Sequence, residues 1–145
     1  QTVLGLRRQQ VVAEVLEPLL ADVGGLLYPP GPAVRPAGPA DQAAADRLLE
    51  VGEDGERRRL VAVDGERVVG AAAVRCQGTD GLLEGPVVED GWRGRLVGTR
   101  LAAAACIEAR AAGLARVAGP RDAEGFLARL GFRPAPDGDR LVRDL

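Results

Sequence analysis

The chain has 145 residues, 46% of them hydrophobic and 28% charged, with 19 basic against 21 acidic residues and a net charge of −2. A chain of this size can bury roughly 68–70% of its unfolded surface, enough for one core without metal or disulfide staples. The near-balanced charge argues against general nucleic-acid binding, no apolar run reaches the roughly 18 residues of a membrane helix, and no secretory signal is visible, so the expected location is cytoplasmic.

Residues 3–23 read as helical, because Val12, Val15, Leu16, Leu19, Leu20 and Val23 recur at three- and four-residue spacing. Pro18 kinks this segment or starts a second short helix, and Gly24-Gly25 stops it. Five prolines in residues 28–39 suit an extended connector with a short edge strand around Val34. Asp41 is a candidate N-cap for a helix over 42–51, with Ala45, Leu48 and Leu49 on its apolar side. A hairpin follows. Residues 59–63 alternate toward Asp64-Gly65, a two-residue turn signal, and 67–75 return as a mostly apolar strand. A polar turn over 78–81 leads to another strand at 82–88. An Ala-rich helix is expected over 96–112, stopped by Gly113. After it come a strand at 114–118, a helix over 122–130 closed by Gly131, and one or two strands around Asp137-Gly138. The order β-α-β-β-β-α-β-α-β is an α+β pattern with helices flanking one mixed sheet.

The chain contains no His, Ser, Asn, Lys or Met. That removes the Ser-His-Asp triad, the Cys-His pair, Schiff-base lysine chemistry and imidazole-bearing zinc sites. Cys76 and Cys106 are too few and too far apart for a metal cluster, and read as buried reduced thiols. No metal is expected. Carboxylates, arginines, backbone amides or a bound cofactor must carry any chemistry.

The most informative stretch runs from Val87 to Leu101: a strand end, a turn rich in Gly and Arg, and a helix start. The first turn of a helix offers unpaired N–H groups and the positive end of its dipole to a phosphate. Gly94 and Gly98 allow close approach to that backbone, and Arg93, Arg95 and Arg100 add positive charge. A helix dipole contributes only about 0.3–1 kcal/mol per charge, so several N–H donors and an arginine must act together. On these residues alone the segment is a phosphate cradle or a plain turn with solvated arginines.

The run from Leu60 to Pro134 resembles the GCN5-related N-acetyltransferase (GNAT) superfamily. LVAVDGERVVGAAAV is similar to that family's second and third strands, and AEGFLARLGFRP to its final helix and following strand. GWRGRLVGTRL is similar to its acetyl-CoA loop, whose pattern is Arg/Gln-x-x-Gly-x-Gly/Ala; Arg93 and Gly98 match, with Gly94 as an extra glycine. AVRPAGPADQAAADRLLE is weakly similar to the opening strand and first helix. The closest look is to small bacterial amino-acid acetyltransferases of the N-acetylglutamate-synthase-like and arsinothricin-resistance type.

The resemblance implies a mixed, mostly antiparallel GNAT-like sheet over 33–145, preceded by a helical extension and Pro-rich connector over 1–32. It implies acetyl-CoA as co-substrate, its pantetheine arm beside Val87 and Val88 and its pyrophosphate on the N–H groups of Arg93, Gly94, Arg95, Leu96, Val97, Gly98 and Thr99. A small-molecule amine, such as an amino acid or analogue, would attack the thioester directly in a ternary complex. An alkyl amine of pKa near ~10 costs roughly 4 kcal/mol to hold neutral at pH 7, so a base helps. Glu84 is the candidate base, since family members often place a catalytic Glu on this strand; the other reading is a solvated or ion-paired carboxylate. Glu89, Asp90 and Glu108 are poorer candidates.

Some positions depart from the family pattern. Leu96 stands where the first motif glycine usually sits, and Leu127 where many members carry a Tyr acid; the only tyrosine is Tyr28. Asp90 replaces the usual proline before the arginine loop, and Pro86 marks either a strand bulge or an ordinary strand end. Trp92 reads as packing at the loop base, and Phe126 and Phe132 as core. Arg57-Arg58-Arg59 reads by default as a solvated charge run, with an acidic acceptor or the CoA 3′-phosphate as the other use. The N-terminal helix is a lid, a homodimer contact or simple packing. The competing functional class is a degenerate GNAT domain that binds acyl-CoA as a sensor or partner subunit without turnover.

Overall fold

The structure is a computed structural model that describes residues 31–52, 55–136 and 138–145. The N-terminal helix and most of the proline-rich connector expected over 1–32 lie outside the described residues, as does Asp137. Residues Pro32–Leu145 form one compact unit.

The strands are β1 (Ala33–Pro36), β2 (Arg57–Asp64), β3 (Arg67–Gln77), β4 (Asp80–Val88), β5 (Arg116–Pro120), β6 (Arg133–Pro134) and β7 (Arg140–Asp144). The helices are α1 (Gln42–Leu49), α2 (Val97–Ala111) and α3 (Glu124–Ala128), with short 3-10 turns before α1, α2 and α3. The seven strands form one sheet in the order β1-β2-β3-β4-β5-β7-β6. Every pairing is antiparallel except β4 with β5. The expected mixed, mostly antiparallel sheet with flanking helices is therefore present.

Strand alternation divides the core between two faces. On one, Val61, Val63 and Ala71 pack with Ala45 of α1. On the other, Leu60, Ala62, Ala72 and Val74 receive α2, which buries Val97, Leu101, Ala105 and Ala109 at four-residue spacing. The alanines on that stripe let the helix lie close to the sheet. Phe132 belongs to this core and Phe126 packs against it, as their positions suggested.

Several elements begin or end elsewhere than their local patterns suggest. The hairpin loop is Gly65-Glu66, with Asp64 and Arg67 the last paired residues. Gly65 has φ 64, the positive value that a tight hairpin needs. Asp41 stands before α1 but gives the helix no side-chain bond. Its carboxylate instead accepts the Gly38 N–H at 2.8 Å and Arg35 at 2.6 Å. Those bonds hold it below the usual carboxylate range, with Arg35 the larger cause and Gly38 the second. α1 stops at Leu49 because Glu50 turns left-handed at φ 55. β5 starts two residues late: Leu114 donates its N–H back to Ala109 and closes α2. The last helix shrinks to five residues.

The sheet is split between β4 and β5. Only Asp80, Gly81 and Leu82 of β4 pair with Arg116, Val117 and Ala118 of β5. β4 runs on to Val88 without β5 beside it, while β3 follows it to the end. The β3–β4 ladder contains a bulge: Ala71 faces Val87 but Ala73 faces Glu84, so β4 carries one extra residue at Gly85-Pro86. Pro86 thus marks a bulge, not an ordinary strand end.

Candidate active site

β4 passes through a 3-10 turn at Asp90–Trp92 and reaches α2 through Arg93–Leu96. Leu96 is the N-cap residue, at φ 62 and ψ 14, with its side chain 70% exposed. A left-handed conformation costs a non-glycine residue roughly 1–2 kcal/mol, and the family glycine at this position would avoid that cost. Leu96→Gly is accordingly expected to stabilise the domain by about 1 kcal/mol in urea unfolding, with an unchanged m-value.

The first helical bond of α2 runs from the Arg100 N–H to the Leu96 carbonyl, 3.0 Å. The N–H groups of Val97, Gly98 and Thr99 therefore have no carbonyl within the helix to receive them. Gly98 sets this helix start against the bulge: a Cβ on it would lie 3.5 Å from Pro86 and 3.8 Å from Val88. Those are ordinary contact distances. The protein's own packing does not demand glycine here.

Arg93 and Arg95 of the loop and Arg100 of α2 behave differently. Arg93 donates from Nε to the Val88 carbonyl at 3.2 Å and meets Asp90 at 3.1 Å. Arg100 donates to the Pro32 carbonyl at 2.9 Å. Arg95 lies over the Trp92 ring, 5.1 Å from its centroid, in a cation–π contact. Trp92 packs against the core from the loop base, as expected. Val88 is thus tied to the loop through Arg93 and to α2 through Gly98, while Val87 sits in the bulged segment opposite Ala71.

Glu84 lies on the α1 side of the sheet, just before the bulge. Both carboxylate oxygens accept from Arg57, at 2.6 Å from Nε and 3.2 Å from Nη2. Arg57 is almost fully buried, with 3% of its side chain exposed against 16% for Glu84. Bidentate geometry of this kind fixes a carboxylate in place. The Arg57-Arg58-Arg59 run is accordingly not one solvated patch: Arg58 is exposed, but Arg57 and Arg59 are largely covered. Because these residues open β2, their side chains alternate: Arg57 and Arg59 reach Glu84 and Asp46, and Arg58 reaches Glu108 of α2 across the sheet.

The split between β4 and β5 opens into a cleft of about 410 Å³ lined by Leu82, Leu83, Gly119, Pro120, Arg121, Asp122, Asp139 and Arg140. Its charged residues had no signal in the sequence, since they come from two separate turns. Glu84 is not among the lining residues, although it directly follows Leu83. Leu127 does not reach the cleft either. It is 1% exposed in the core, with Cδ1 only 2.6 Å from where a Cβ on Gly119 would sit. Both cysteines are free; Cys106 is buried and Cys76 half-buried. Burial pushes the Cys106 thiol up, opposed in part by Arg143, which disfavours the thiolate a nucleophile requires.

No curated protein matches the chain. Among solved structures, Rv2747 from Mycobacterium tuberculosis, determined in complex with CoA and NLQ, is similar at TM-score 0.63 and 19% identity, over 79% of this chain and 99% of that one. The GNAT family N-acetyltransferase YhbS from Escherichia coli, in complex with CoA, gives TM-score 0.64 and 20% identity over 79% and 81%. N-acetylglutamate synthase from Neisseria gonorrhoeae, complexed with CoA and N-acetyl-glutamate, gives 0.62 and 18% over 78% of this chain but 35% of that one. These likenesses are of fold. In sequence, the family model described as acetyltransferase (GNAT) domain matches residues 55–134. That match spans more than half of the chain, which therefore belongs to the acetyltransferase (GNAT) family.

Proposed function

We propose that this domain transfers the acetyl group of acetyl-CoA to the amine of a small molecule, an amino acid or an analogue, with both substrates bound together. The observation that carries the reading is the parting of β4 from β5 beyond Leu82, directly beside the open amides of α2. The residues present fit such a ligand. Among the described residues no strand lies beside the β5-facing edge of β4 from Leu83 to Val88, and that edge can pair with an extended amide-bearing arm. The amides of Val97, Gly98 and Thr99, with the loop from Arg93 to Leu96, can hold a pyrophosphate at the positive end of the α2 dipole.

Bound acetyl-CoA supplies an activated thioester and a thiolate leaving group. Glu84 stands one residue from the cleft and is the proposed acceptor of the amine's proton, directly or through one water. A carboxylate has about four lone-pair positions, so the two bonds from Arg57 leave others for that proton. Arg57 holds the carboxylate still. With Leu127 in the core, the thiolate would leave without a general acid from that position, which a thiol of pKa near ~8.5 tolerates. The second reading is a domain that binds acyl-CoA without turnover. Leu96 at positive φ and the closed Arg57–Glu84 pair favour it.

Calorimetric titration with acetyl-CoA tests the common part of both readings. Binding in the micromolar range is expected, weakened about tenfold by Arg93→Ala through loss of one charged contact at the cradle. The substitution should leave thermal stability nearly unchanged, because the Arg93–Asp90 pair is exposed at both ends. No binding at millimolar acetyl-CoA would remove the proposal.

A further inference from the structure

Arg57 and Glu84 meet across a whole strand. In the sheet Arg57 stands opposite Arg75 of β3 and Glu84 opposite Ala73, so the arginine reaches diagonally over β3. Ala73, fully buried and only a methyl long, leaves it room. All three guanidinium nitrogens are engaged. Nε and Nη2 hold the two Glu84 oxygens, and Nη1 donates to the Gly52 carbonyl at 3.2 Å. Gly52 lies in the loop that leaves α1, and the chain reaches it through Glu50 at φ 55. A glutamate holds that conformation only where its surroundings impose it. Val51 fixes the same exit by donating its N–H to the Asp46 carbonyl at 3.3 Å, and the Asp46 carboxylate accepts from Arg59 at 2.7 Å. Two arginines on one face of β2 thus fasten the end of α1, and one of them also carries Glu84.

Stability explains the Arg57–Glu84 pair poorly, because an apolar pair of similar volume in a buried site commonly serves folding as well or better. From this arrangement we infer that Arg57 is a positioning residue for acetyl transfer, a relay through which the loop leaving α1 sets where the Glu84 carboxylate points. The inference rests on the transfer reading above and adds an element outside the cradle and the β4–β5 cleft: the exit of α1. With 3% of its side chain exposed, Arg57 acts through Glu84 and not on a substrate. Because one planar fork holds both oxygens, the lone pairs left to receive the amine's proton keep one direction. A shift of the Gly52 carbonyl pulls on the third nitrogen of the same rigid group and turns the carboxylate with it. A base must stand within hydrogen-bond reach of the proton it takes, so such a turn is felt in kcat and not in acetyl-CoA affinity.

The test is release of CoA thiol from acetyl-CoA by the full chain. The standard α-amino acids and simple alkyl amines are tried as acceptors, and the fastest is kept as the probe. Arg57→Met is expected to lower kcat about a hundredfold at saturating acetyl-CoA, the scale of a misplacement of about 1 Å, with acetyl-CoA affinity by calorimetry unchanged. Arg57→Lys should recover only part of the loss, since an ammonium cannot hold both oxygens and the carbonyl in one plane. In a chain already bearing Glu84→Gln, Arg57→Met should lower kcat no further, because it acts only through that carboxylate. That double variant leaves no buried charge unpaired, and it stays measurable if Arg57→Met alone fails to fold. Insertion of Gly-Gly between Val51 and Gly52 should lower kcat about tenfold in the parent and not at all beside Arg57→Met. Full kcat in Arg57→Met, a further fall beside Glu84→Gln, or an insertion equally harmful with and without Arg57 overturns the inference while leaving acetyl transfer standing. A parent that binds no acetyl-CoA, or transfers to none of the acceptors, overturns the transfer reading and this inference with it.

Discussion

Gly85→Ala is expected to destabilise the domain by about 3 kcal/mol, the sum of a left-handed backbone penalty and an overpacking penalty. Gly85 sits in the β4 bulge at φ 80, where an L side chain is strained whatever space surrounds it. There is also no space. A Cβ there would lie 2.7 Å from a methyl of Leu49, 3.1 Å from the Ala71 carbonyl oxygen and 3.2 Å from the Val87 amide. Leu49 is the last residue of α1 and could turn away, but the other two atoms are backbone of the ladder that defines the bulge. The measurement is urea unfolding of both proteins, read at the midpoint with the slope held as a check on two-state behaviour. A loss under 1 kcal/mol would mean that the bulge relaxes at little cost. The same variant should lose acetyl-CoA binding more steeply than stability, because the bulge presents Pro86 and Val88 to Gly98.

Glu84→Gln is expected to lower kcat by about a hundred- to ten-thousandfold, the usual contribution of a positioned base, with acetyl-CoA affinity unchanged. Glutamine keeps the shape and one oxygen for Arg57, but it cannot take a proton at neutral pH. It also takes the negative charge out of the bidentate pair with the Arg57 guanidinium, which is 3% exposed. A fully buried pair broken from one side costs about 3–5 kcal/mol. Because Glu84 retains 16% exposure, about 2 kcal/mol is the expected loss here. The two effects separate cleanly. A fall in melting temperature with kcat intact assigns the pair to folding alone; a fall in kcat at full saturation with acetyl-CoA, in protein that is still folded, assigns Glu84 to proton transfer.

The parts of this architecture legible in the sequence are those governed by local chemistry. Gly113 ends α2 at φ 85 because no other residue adopts that geometry so readily. The β2–β3 hairpin was legible from its alternation and its glycine turn, although the loop falls one residue later than Asp64-Gly65 indicates. The strand-turn-helix segment proposed as the cradle was legible for the same reason, being continuous. What could not be read is what strand order decides. The partner of Arg57 lies 27 residues away on β4, and consecutive arginines look like one basic patch until a strand sends them to opposite faces. The cleft walls join residues 17 apart through the Arg121–Gly138 bond, with no shared motif. Leu96 shows both limits at once. Its departure from the family glycine was visible, but only the backbone reveals that leucine is held in glycine's conformation.

The three-residue contact between β4 and β5 also has a mechanical meaning. It makes the sheet two ribbons, one of four strands and one of three, riveted at Asp80–Leu82. The chain crosses from one ribbon to the other only once, through α2, which leaves the far end of β4 and returns to the near end of β5. Any widening of the split therefore pivots on that rivet, and α2 acts as a strut whose first turn moves with the four-strand ribbon through Gly98 and Pro86. The lever is long on the open side and short at the pivot. Small rotations of the three-strand ribbon translate into large changes in gap width where β4 ends, and very small ones beside Leu82. A rotation of that kind would leave the atoms nearest the pivot in register.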